Sequence, residues 1–139
     1  MSPFSHILVL VDCSSADDAI FDLVIRLADG SPTKVTLVHV VHSHTLDQDR
    51  ALKKQAVDCL GKVLEKFDGA GIEADKLLLS GEPETELEKE INKGDYDLIA
   101  MGTHGHKGFT DALYGSVSRY LKHAVAVPLL MVKNSKSND

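Results

Sequence analysis

The chain has 139 residues, of which 43% are hydrophobic and 26% are charged, and these values exclude an intrinsically disordered protein. This length fits one domain over residues 1–139, with the polar segment 133–139 expected to form a tail. Twenty-one acidic and 15 basic side chains give a formal charge of −6, which argues against binding to nucleic acid or to an anionic membrane in general.

The sequence shows no segment suited to export or to membrane insertion. The N-terminus lacks a basic and apolar leader, and no apolar run approaches the ~20 residues that span a bilayer. We therefore expect a cytoplasmic protein. The two cysteines, Cys13 and Cys59, lie in unrelated segments without CxxC spacing, so neither a disulfide scaffold nor a zinc ribbon is predicted. For Cys13, a small buried side chain is favoured over a thiolate near a helix N-terminus.

Five short apolar runs alternate with segments of helical periodicity. The runs are rich in β-branched residues and leucine, as in parallel strands that are buried on both faces. They are residues 6–11 (HILVLV), 35–41 (VTLVHVV), 76–79 (KLLL), 98–101 (LIAM) and 127–132 (VPLLMV). This alternation predicts an open α/β sheet with helices on both faces, because right-handed crossovers place the helices there. The residues alone leave the strand order open.

Capping residues mark where the intervening helices begin. Ser14 is a suitable N-cap for the first helix, and Thr45 with Gln48 has the spacing of a capping box for the second. Pro83 suits the first turn of the third helix, where the acidic residues on either side complement the helix dipole. This acidic cluster therefore predicts a helix start and not a metal site.

The fourth strand leads into the glycine-rich segment that carries the main functional signal. Gly102 ends the apolar run, Gly105 follows in a polar loop, and Gly115 with Ser116 is predicted to open the last helix. The spacing is G-x2-G-x9-G-S. Glycines let a backbone approach phosphate closely, and the free N–H groups of a helix start attract anions. The alternatives are that the first two glycines only form a turn and that Ser116 and Ser118 are plain N-cap residues.

Other chemistries find little support in the sequence. The chain has no GxxxxGK[ST], and its first strand-to-helix turn, residues 12–15, has no glycine, which argues against a P-loop kinase and an NAD enzyme. No nucleophile with a base and no carboxylate pair for acid–base work is visible, so at most a weak ATPase is expected. Four histidines lack Cys or acidic partners at ligand spacing, so no metal site is predicted: His42, His44, His104 and His106.

Ligands of open α/β sheets bind beyond the carboxyl ends of the strands, near the point where the strand order reverses. Asp12 stands at the end of the first strand, where its carboxylate suits a ribose hydroxyl or a metal, and equally suits a helix cap or a turn. Val40 and Met101 stand at the ends of the second and fourth strands. By themselves they are ordinary core residues.

The pattern as a whole resembles the universal stress protein family, in the subgroup that binds ATP. The resemblance rests on the glycine spacing, on Asp12 at the end of the first strand, on the His39-Val40 pair and on the closing VPLLMV strand. It covers the whole chain. It implies a Rossmann-like fold of the adenine nucleotide alpha hydrolase-like type, with five parallel strands in the order 3-2-1-4-5.

The resemblance also implies an adenine nucleotide as ligand, either ATP or AMP/ADP, with Mg²⁺ carried by the phosphates. Asp12, Val40 and Met101 match positions that border the adenosine. Matching the phosphate positions are Gly102, Gly105, Gly115, Ser116, Val117 and Ser118. Leu10 and Cys13 depart from the family, in which proline and glycine are frequent there. The departures weaken the adenosine half of the assignment more than the phosphate half.

The last strand, residues 127–132, is expected to lie at an edge of the sheet, where its unpaired N–H and C=O groups invite pairing with another copy. Pro128 is compatible with an edge position, and the resemblance implies a homodimer through this strand. The predicted function is regulatory ATP binding in a stress response, with a protein partner that the sequence does not identify. The alternatives are a nucleotide-free interaction module of the same fold and an enzyme that acts on adenylates.

Overall fold

The computed structural model describes residues 4–13, 17–104 and 109–134. The strands are β1 (His6–Leu10), β2 (Lys34–Val41), β3 (Ala74–Ser80), β4 (Leu98–His104) and β5 (Leu129–Asn134). The helices are α1 (Asp18–Ala28), α2 (Leu46–Gly69), α3 (Pro83–Lys93) and α4 (Phe109–Ala124). All strand pairs are parallel, and the order is β3-β2-β1-β4-β5. The predicted fold class and the strand order implied by the resemblance are confirmed.

Helices cover both faces of the sheet, so the side chains of β1 are buried on both faces. Val9 packs in a core with Phe67 under α1 and α2, and Leu10 packs in a second core with Leu121 under α3 and α4. Successive side chains of a strand point to opposite faces, so two cores require an apolar run without alternation. Along one face, α1 packs over β4 and β5 while α2 packs over β2 and β3.

The predicted N-cap of α2 and the predicted proline in the first turn of α3 are confirmed. Thr45 precedes α2, and its hydroxyl accepts a hydrogen bond from the backbone N–H of Gln48 at 3.1 Å. Pro83 is the first residue of α3, and Gly94 ends that helix. The predicted cap Ser14 lies outside the described residues. Within the described ranges, no helix combines the length and the apolar character that a bilayer crossing requires.

Two strand boundaries differ from the predictions. β4 does not end at Gly102, because this glycine pairs with Val132 of β5 and the pairing of the two strands continues to His104. β5 begins and ends two residues later than predicted, at Leu129 and Asn134. The polar residues at its end are therefore part of the strand, since pairing with β4 supplies their backbone hydrogen bonds.

The prediction that Gly115 opens the last helix is wrong. The helix α4 begins at Phe109, and Gly115 is its seventh residue. The sequence contains the reason: Phe109 and Leu113 extend backwards the four-residue spacing of the buried Val117 and Leu121. The phosphate hypothesis therefore loses its argument from a helix start at Gly115.

Candidate functional site

The carboxyl ends of β1, β2 and β4 meet where the strand order reverses. Leu10 of β1 is paired with Val38 of β2 on one side and with Met101 of β4 on the other. Asp12 lies two residues beyond Leu10, and Val40 lies two residues beyond Val38. The structure thus brings Asp12, Val40 and Met101 to one edge of the sheet, at the position where ligands of such folds bind.

The three side chains differ in how much of each is accessible. Met101 is fully buried in the core under α3 and α4. Val40 is half-buried against the same core, and Asp12 is half-buried two residues after the end of β1. Asp12 and Val40 are therefore the groups whose side chains a ligand at this edge can reach, whereas the side chain of Met101 supports the core beneath them.

The segment 11–13 that follows β1 is held by several hydrogen bonds. The buried carboxylate of Asp17 accepts bonds from the N–H groups of Asp12 and Cys13, at 2.8 Å and 2.9 Å. The Nδ1 atom of His39 donates to the carbonyl oxygen of Val11 at 2.6 Å. Cys13 has a φ of +64°, in the left-handed region that favours glycine.

The sequence alone indicates no role for Asp17 or His39 at this edge. The available signal for Asp17 was its place three residues after the predicted cap Ser14, which is a common spacing for a carboxylate that binds backbone N–H groups. For His39 the sequence offered only its place in a strand beside Val40. Its contact with Val11 depends on the pairing of β1 with β2, which a linear pattern does not give.

The structure contains a disulfide between Cys13 and Cys59, with their Cα atoms 6.0 Å apart. The prediction that the cysteines belong to unrelated segments is wrong, and so is the prediction that Cys13 is buried, since its side chain is exposed. The cause is tertiary. Cys13 follows β1 at the carboxyl edge, and α2 packs across the same face of the sheet, so residues 46 positions apart become neighbours.

On the face of the sheet that α3 and α4 cover, two hydrogen bonds join α4 to α3. The hydroxyl of Ser116 donates to Oε2 of Glu84 at 2.9 Å, and the phenol of Tyr120 donates to Oε1 of Glu88. The four-residue spacing is the same on both helices, so two adjacent turns are matched. The bond to Glu88 raises the pKa of Tyr120, because the neutral phenol is the donor. The hydroxyl predicted to bind phosphate therefore faces a carboxylate.

The remaining predicted phosphate residues lie in different surroundings. Val117 is fully buried in the core under α3 and α4, and Ser118 is 7% exposed. Gly102 lies in β4 and Gly115 lies in α4. Gly105 lies outside the described residues.

His42 contacts both His44 and the residues at the start of α3. The rings of His42 and His44 are nearly perpendicular, with centroids 5.1 Å apart. The Nδ1 atom of His42 donates to the carbonyl oxygen of Gly81 at 3.2 Å and lies 3.6 Å from Oε1 of Glu82. No group of three or more His, Cys or acidic residues suited to a metal ion occurs in the described part of the chain, and His106 lies outside it.

A groove of about 540 Å³ opens between α1 and α2 on the face opposite Met101 and Val117. Its walls include both cysteines, two apolar side chains, and one acidic and one basic side chain. These residues are Cys13, Cys59, Phe21, Val63, Asp17 and Lys62. Among these residues, Cys13 belongs to the segment 11–13 as well. The groove therefore gives solvent molecules access to the disulfide beside the candidate site.

Comparisons with known proteins identify the family. The model of the universal stress protein family matches residues 3–133. Universal stress protein YxiE of Bacillus subtilis is 25% identical over 147 residues, which cover 94% of this chain and 99% of the relative. The structure of an Arabidopsis thaliana family protein with AMP bound has a TM-score of 0.72 and 18% identity, covering 97% of this chain and 95% of that one. A universal stress protein of Archaeoglobus fulgidus in complex with dAMP also has a TM-score of 0.72, with 21% identity over 93% of this chain and 98% of that one. These structures share the fold, and the family model spans nearly all of the sequence, so this chain belongs to the universal stress protein family.

Proposed function

We propose that this protein binds ATP as a regulatory ligand of a cytoplasmic stress response and hydrolyses it slowly at most. The observation that carries the proposal is the convergence of Asp12, Val40 and Met101 at the reversal of strand order. Family members whose structures contain AMP or dAMP support an adenine nucleotide as the ligand class. ADP and AMP are expected to compete for the same site.

The described residues suit the nucleoside half of such a ligand. Asp12 and Val40 are both half-buried, and the carboxylate of Asp12 suits ribose hydroxyl groups as an acceptor, while the side chain of Val40 suits adenine as an apolar surface. The segment that carries Asp12 is held by the carboxylate of Asp17 together with the disulfide at Cys13, so little ordering is required on binding. We therefore assign the adenosine to the ends of β1 and β2.

We assign the phosphates to Gly102 of β4, to Gly115, Ser116, Val117 and Ser118 of α4, and to Gly105, which lies outside the described residues. Ser116 donates its hydroxyl hydrogen to Glu84, and a phosphate oxygen at the same place would repel that carboxylate. A divalent cation on the nucleotide offsets such repulsion, because Mg²⁺ uses phosphate oxygens and carboxylates as ligands. The phosphate assignment therefore requires Mg²⁺·ATP as the bound species.

The first test replaces Gly115 with valine. A side chain at this position is expected to occupy the space assigned to phosphate and to reduce ATP affinity at least about tenfold, which corresponds to about 1.4 kcal/mol of binding free energy. Valine has a higher helix propensity than glycine, so α4 is expected to remain folded. Isothermal titration calorimetry with Mg²⁺·ATP measures the affinity, and circular dichroism checks the helix content.

Gly61→Val is the matched control, since Gly61 is also inside a long helix and nothing lies within 4 Å of a Cβ placed there. This variant should bind ATP like the unmodified protein. Equal affinities for the Gly115 variant and the control would refute the phosphate assignment. A further comparison of ATP with AMP separates the halves of the site, because the Gly115 variant should retain more affinity for AMP.

The contact of Ser116 with Glu84 favours a second candidate function, a nucleotide-free interaction module. In that case the carboxylate is the permanent partner of the hydroxyl and the two helices form a rigid surface. Mass spectrometry of the purified and denatured protein distinguishes the two functions. Released ATP, ADP or AMP supports the first. Repeated absence of nucleotide, together with an unchanged melting temperature on addition of Mg²⁺·ATP, supports the second.

We also propose that two copies associate through β5, over residues 127–132 and the two residues that follow. β5 is the last strand in the sheet order, and within the described residues no strand pairs with its outer edge. Met131 of this strand is 46% exposed. An edge with unpaired backbone groups and exposed apolar side chains is a template for strand pairing between identical chains.

A further inference from the structure

The disulfide links the proposed nucleotide site to a helix on one face of the sheet. Cys13 directly follows Asp12, the residue assigned to the ribose, and Cys59 lies within α2. The residues after Cys59 hold α2 on the sheet, since Leu60 and Val63 are buried in the core with Val9 of β1. The disulfide therefore connects a short segment of the site to a firmly packed helix.

The backbone of Cys13 is in a conformation that its side chain disfavours. Its φ of +64° lies in the left-handed region, where a Cβ atom approaches the carbonyl oxygen and glycine is preferred. The carboxylate of Asp17 depends on this geometry, because it accepts the N–H groups of Asp12 and Cys13 together. In the oxidised protein, the bond to Cys59 is a further restraint that keeps Cys13 in place.

We propose that Cys13 and Cys59 form a redox switch that sets the affinity of the site for its nucleotide. The oxidised form holds Asp12 and Cys13 in the binding geometry, and the reduced form lets Cys13 move toward negative φ and carry Asp12 with it. The inference rests on the proposed function, since the regulated site is the one assigned to ATP. Disulfides are rare in cytosolic proteins, and those that form there are usually transient and serve catalysis or redox sensing.

The groove between α1 and α2 gives reagents access to both sulfur atoms. Cys13 is exposed, Cys59 is half-buried, and both line the groove. A low-molecular-weight disulfide such as glutathione disulfide is the oxidant. The thiolate of Cys13 attacks one of its sulfurs and releases one glutathione thiolate. The thiolate of Cys59 then attacks the Cys13 sulfur of this mixed disulfide and releases the second glutathione. A dithiol reduces the bond by two further exchanges: one of its thiolates attacks a protein sulfur and releases the other cysteine, and its second thiolate then releases the remaining cysteine while the reagent closes to a disulfide.

The switch predicts a difference in affinity between the two redox states of the unmodified protein. The left-handed conformation of a residue with a Cβ is disfavoured by about 1–2 kcal/mol, so reduction is expected to weaken nucleotide binding by about five- to thirtyfold. Isothermal titration calorimetry with AMP, after oxidation by glutathione disulfide and after reduction by dithiothreitol, measures this difference. Intact-mass spectrometry counts the two hydrogens that distinguish the states.

Two variants separate the roles of the disulfide and of the backbone. Cys59→Ser removes the disulfide but keeps Cys13, so it should bind AMP as weakly as the reduced protein under both conditions. Cys13→Gly also removes the disulfide, but glycine adopts positive φ without strain, so its affinity should be close to that of the oxidised protein and insensitive to dithiothreitol. The switch thus predicts opposite results for two variants that lack the same bond.

Several results would overturn the switch. They are equal AMP affinities in the two redox states, stronger binding by the reduced protein, and Cys13→Gly binding as weakly as Cys59→Ser. Failure of glutathione disulfide to remove two hydrogens from the reduced protein overturns it without reference to nucleotide. Absence of AMP and ATP binding in every state and variant would instead refute the proposed function together with the regulation of that site.

Discussion

At the scale of single residues, His6 shows how burial in this fold sets a charge. Its ring lies 4.4 Å from the ring of Tyr96, and its Nε2 is 2.8 Å from the hydroxyl oxygen of Thr36. Burial lowers the pKa of His6 below its ordinary value of 6.5, and the nearby Lys34 lowers it further, against the opposing effect of Asp75. The folded state therefore favours the neutral imidazole.

The shift in the pKa of His6 predicts a pH dependence of stability. Well above pH 6.5 the imidazole is neutral in both the folded and the unfolded state, so the shift contributes nothing to stability there. Below it, the unfolded chain binds the proton first, so the free energy of unfolding falls as the pH drops from 6.5 toward the lower folded pKa. Urea titrations between pH 8 and pH 5 should show less of this decrease for His6→Gln than for the unmodified protein. The exposed His44 provides the control, and a decrease in His6→Gln equal to that in His44→Gln would contradict the assignment.

At the scale of elements, the end of α3 depends on a glycine for reasons of space. The N–H of Gly94 donates to the carbonyl oxygen of Glu90 at 3.0 Å. A Cβ placed on Gly94 would lie 2.8 Å from Cδ2 of Tyr96 and would also contact Cε2 of the same ring. The ring is not free to move away, because it is 9% exposed and its hydroxyl donates to Oε2 of Glu90 at 2.7 Å. The position is therefore closed to any larger residue.

Gly94→Ala should destabilise the protein by about 1–3 kcal/mol, the usual range for overpacking. Gly61→Ala is the opposite case, since open space surrounds that helical position and alanine has the better helix propensity by up to about 1 kcal/mol. Urea unfolding followed by circular dichroism gives both values. If both glycine-to-alanine changes shift the free energy of unfolding in the same direction, the ring of Tyr96 moves aside and the end of α3 is not sterically closed.

Most helices and strands follow from local sequence patterns. The predicted boundaries are wrong where strand pairing or helix packing overrides the local pattern. The apolar runs located all five strands, because burial on two faces requires uninterrupted apolar sequence. Glycine disfavours strands, so the sequence predicts a strand end at Gly102, yet pairing with β5 carries β4 past it. The Gly115-Ser116 pair, followed by apolar residues at helical spacing, predicts a helix start, although α4 already begins at Phe109. Glycine is a weak boundary signal inside a well-packed sheet or helix.

At the scale of the whole molecule, only part of the candidate site was open to prediction. Asp12, Val40 and Met101 meet because parallel strands share a carboxyl edge, and a sequence with five strands already implies this. The link between Cys13 and Cys59 was not predictable, since it depends on where α2 crosses the sheet. The same holds for hydrogen bonds between helices, such as that from Ser116 to Glu84. Contacts within one edge of the sheet could be predicted from the sequence, whereas contacts between a helix and the sheet, or between two helices, could not.

The two edges of the sheet differ in a way that selects one of them for association. The edge strand β3 exposes Asp75 and Lys76, and charges at an edge discourage strand pairing. The edge strand β5 exposes Met131, with the half-buried Leu129 and Leu130 beside it, and its one exposed charge among the described side chains, Lys133, lies near the end of the strand. A homodimer is therefore expected through β5, with a mass about twice the 15.1 kDa of one chain.

Met131→Lys tests this association, because a two-fold axis across β5 brings the new lysine close to its copy and like charges repel. Sedimentation velocity should show a dimer for the unmodified protein and a shift toward monomer for the variant, reduced by added salt because screening weakens the repulsion. Leu46→Lys is the control, since Leu46 is 77% exposed at the start of α2 and should leave the dimer intact. A monomeric unmodified protein, or a dimer that dissociates only in the Leu46 variant, would exclude β5 as the interface.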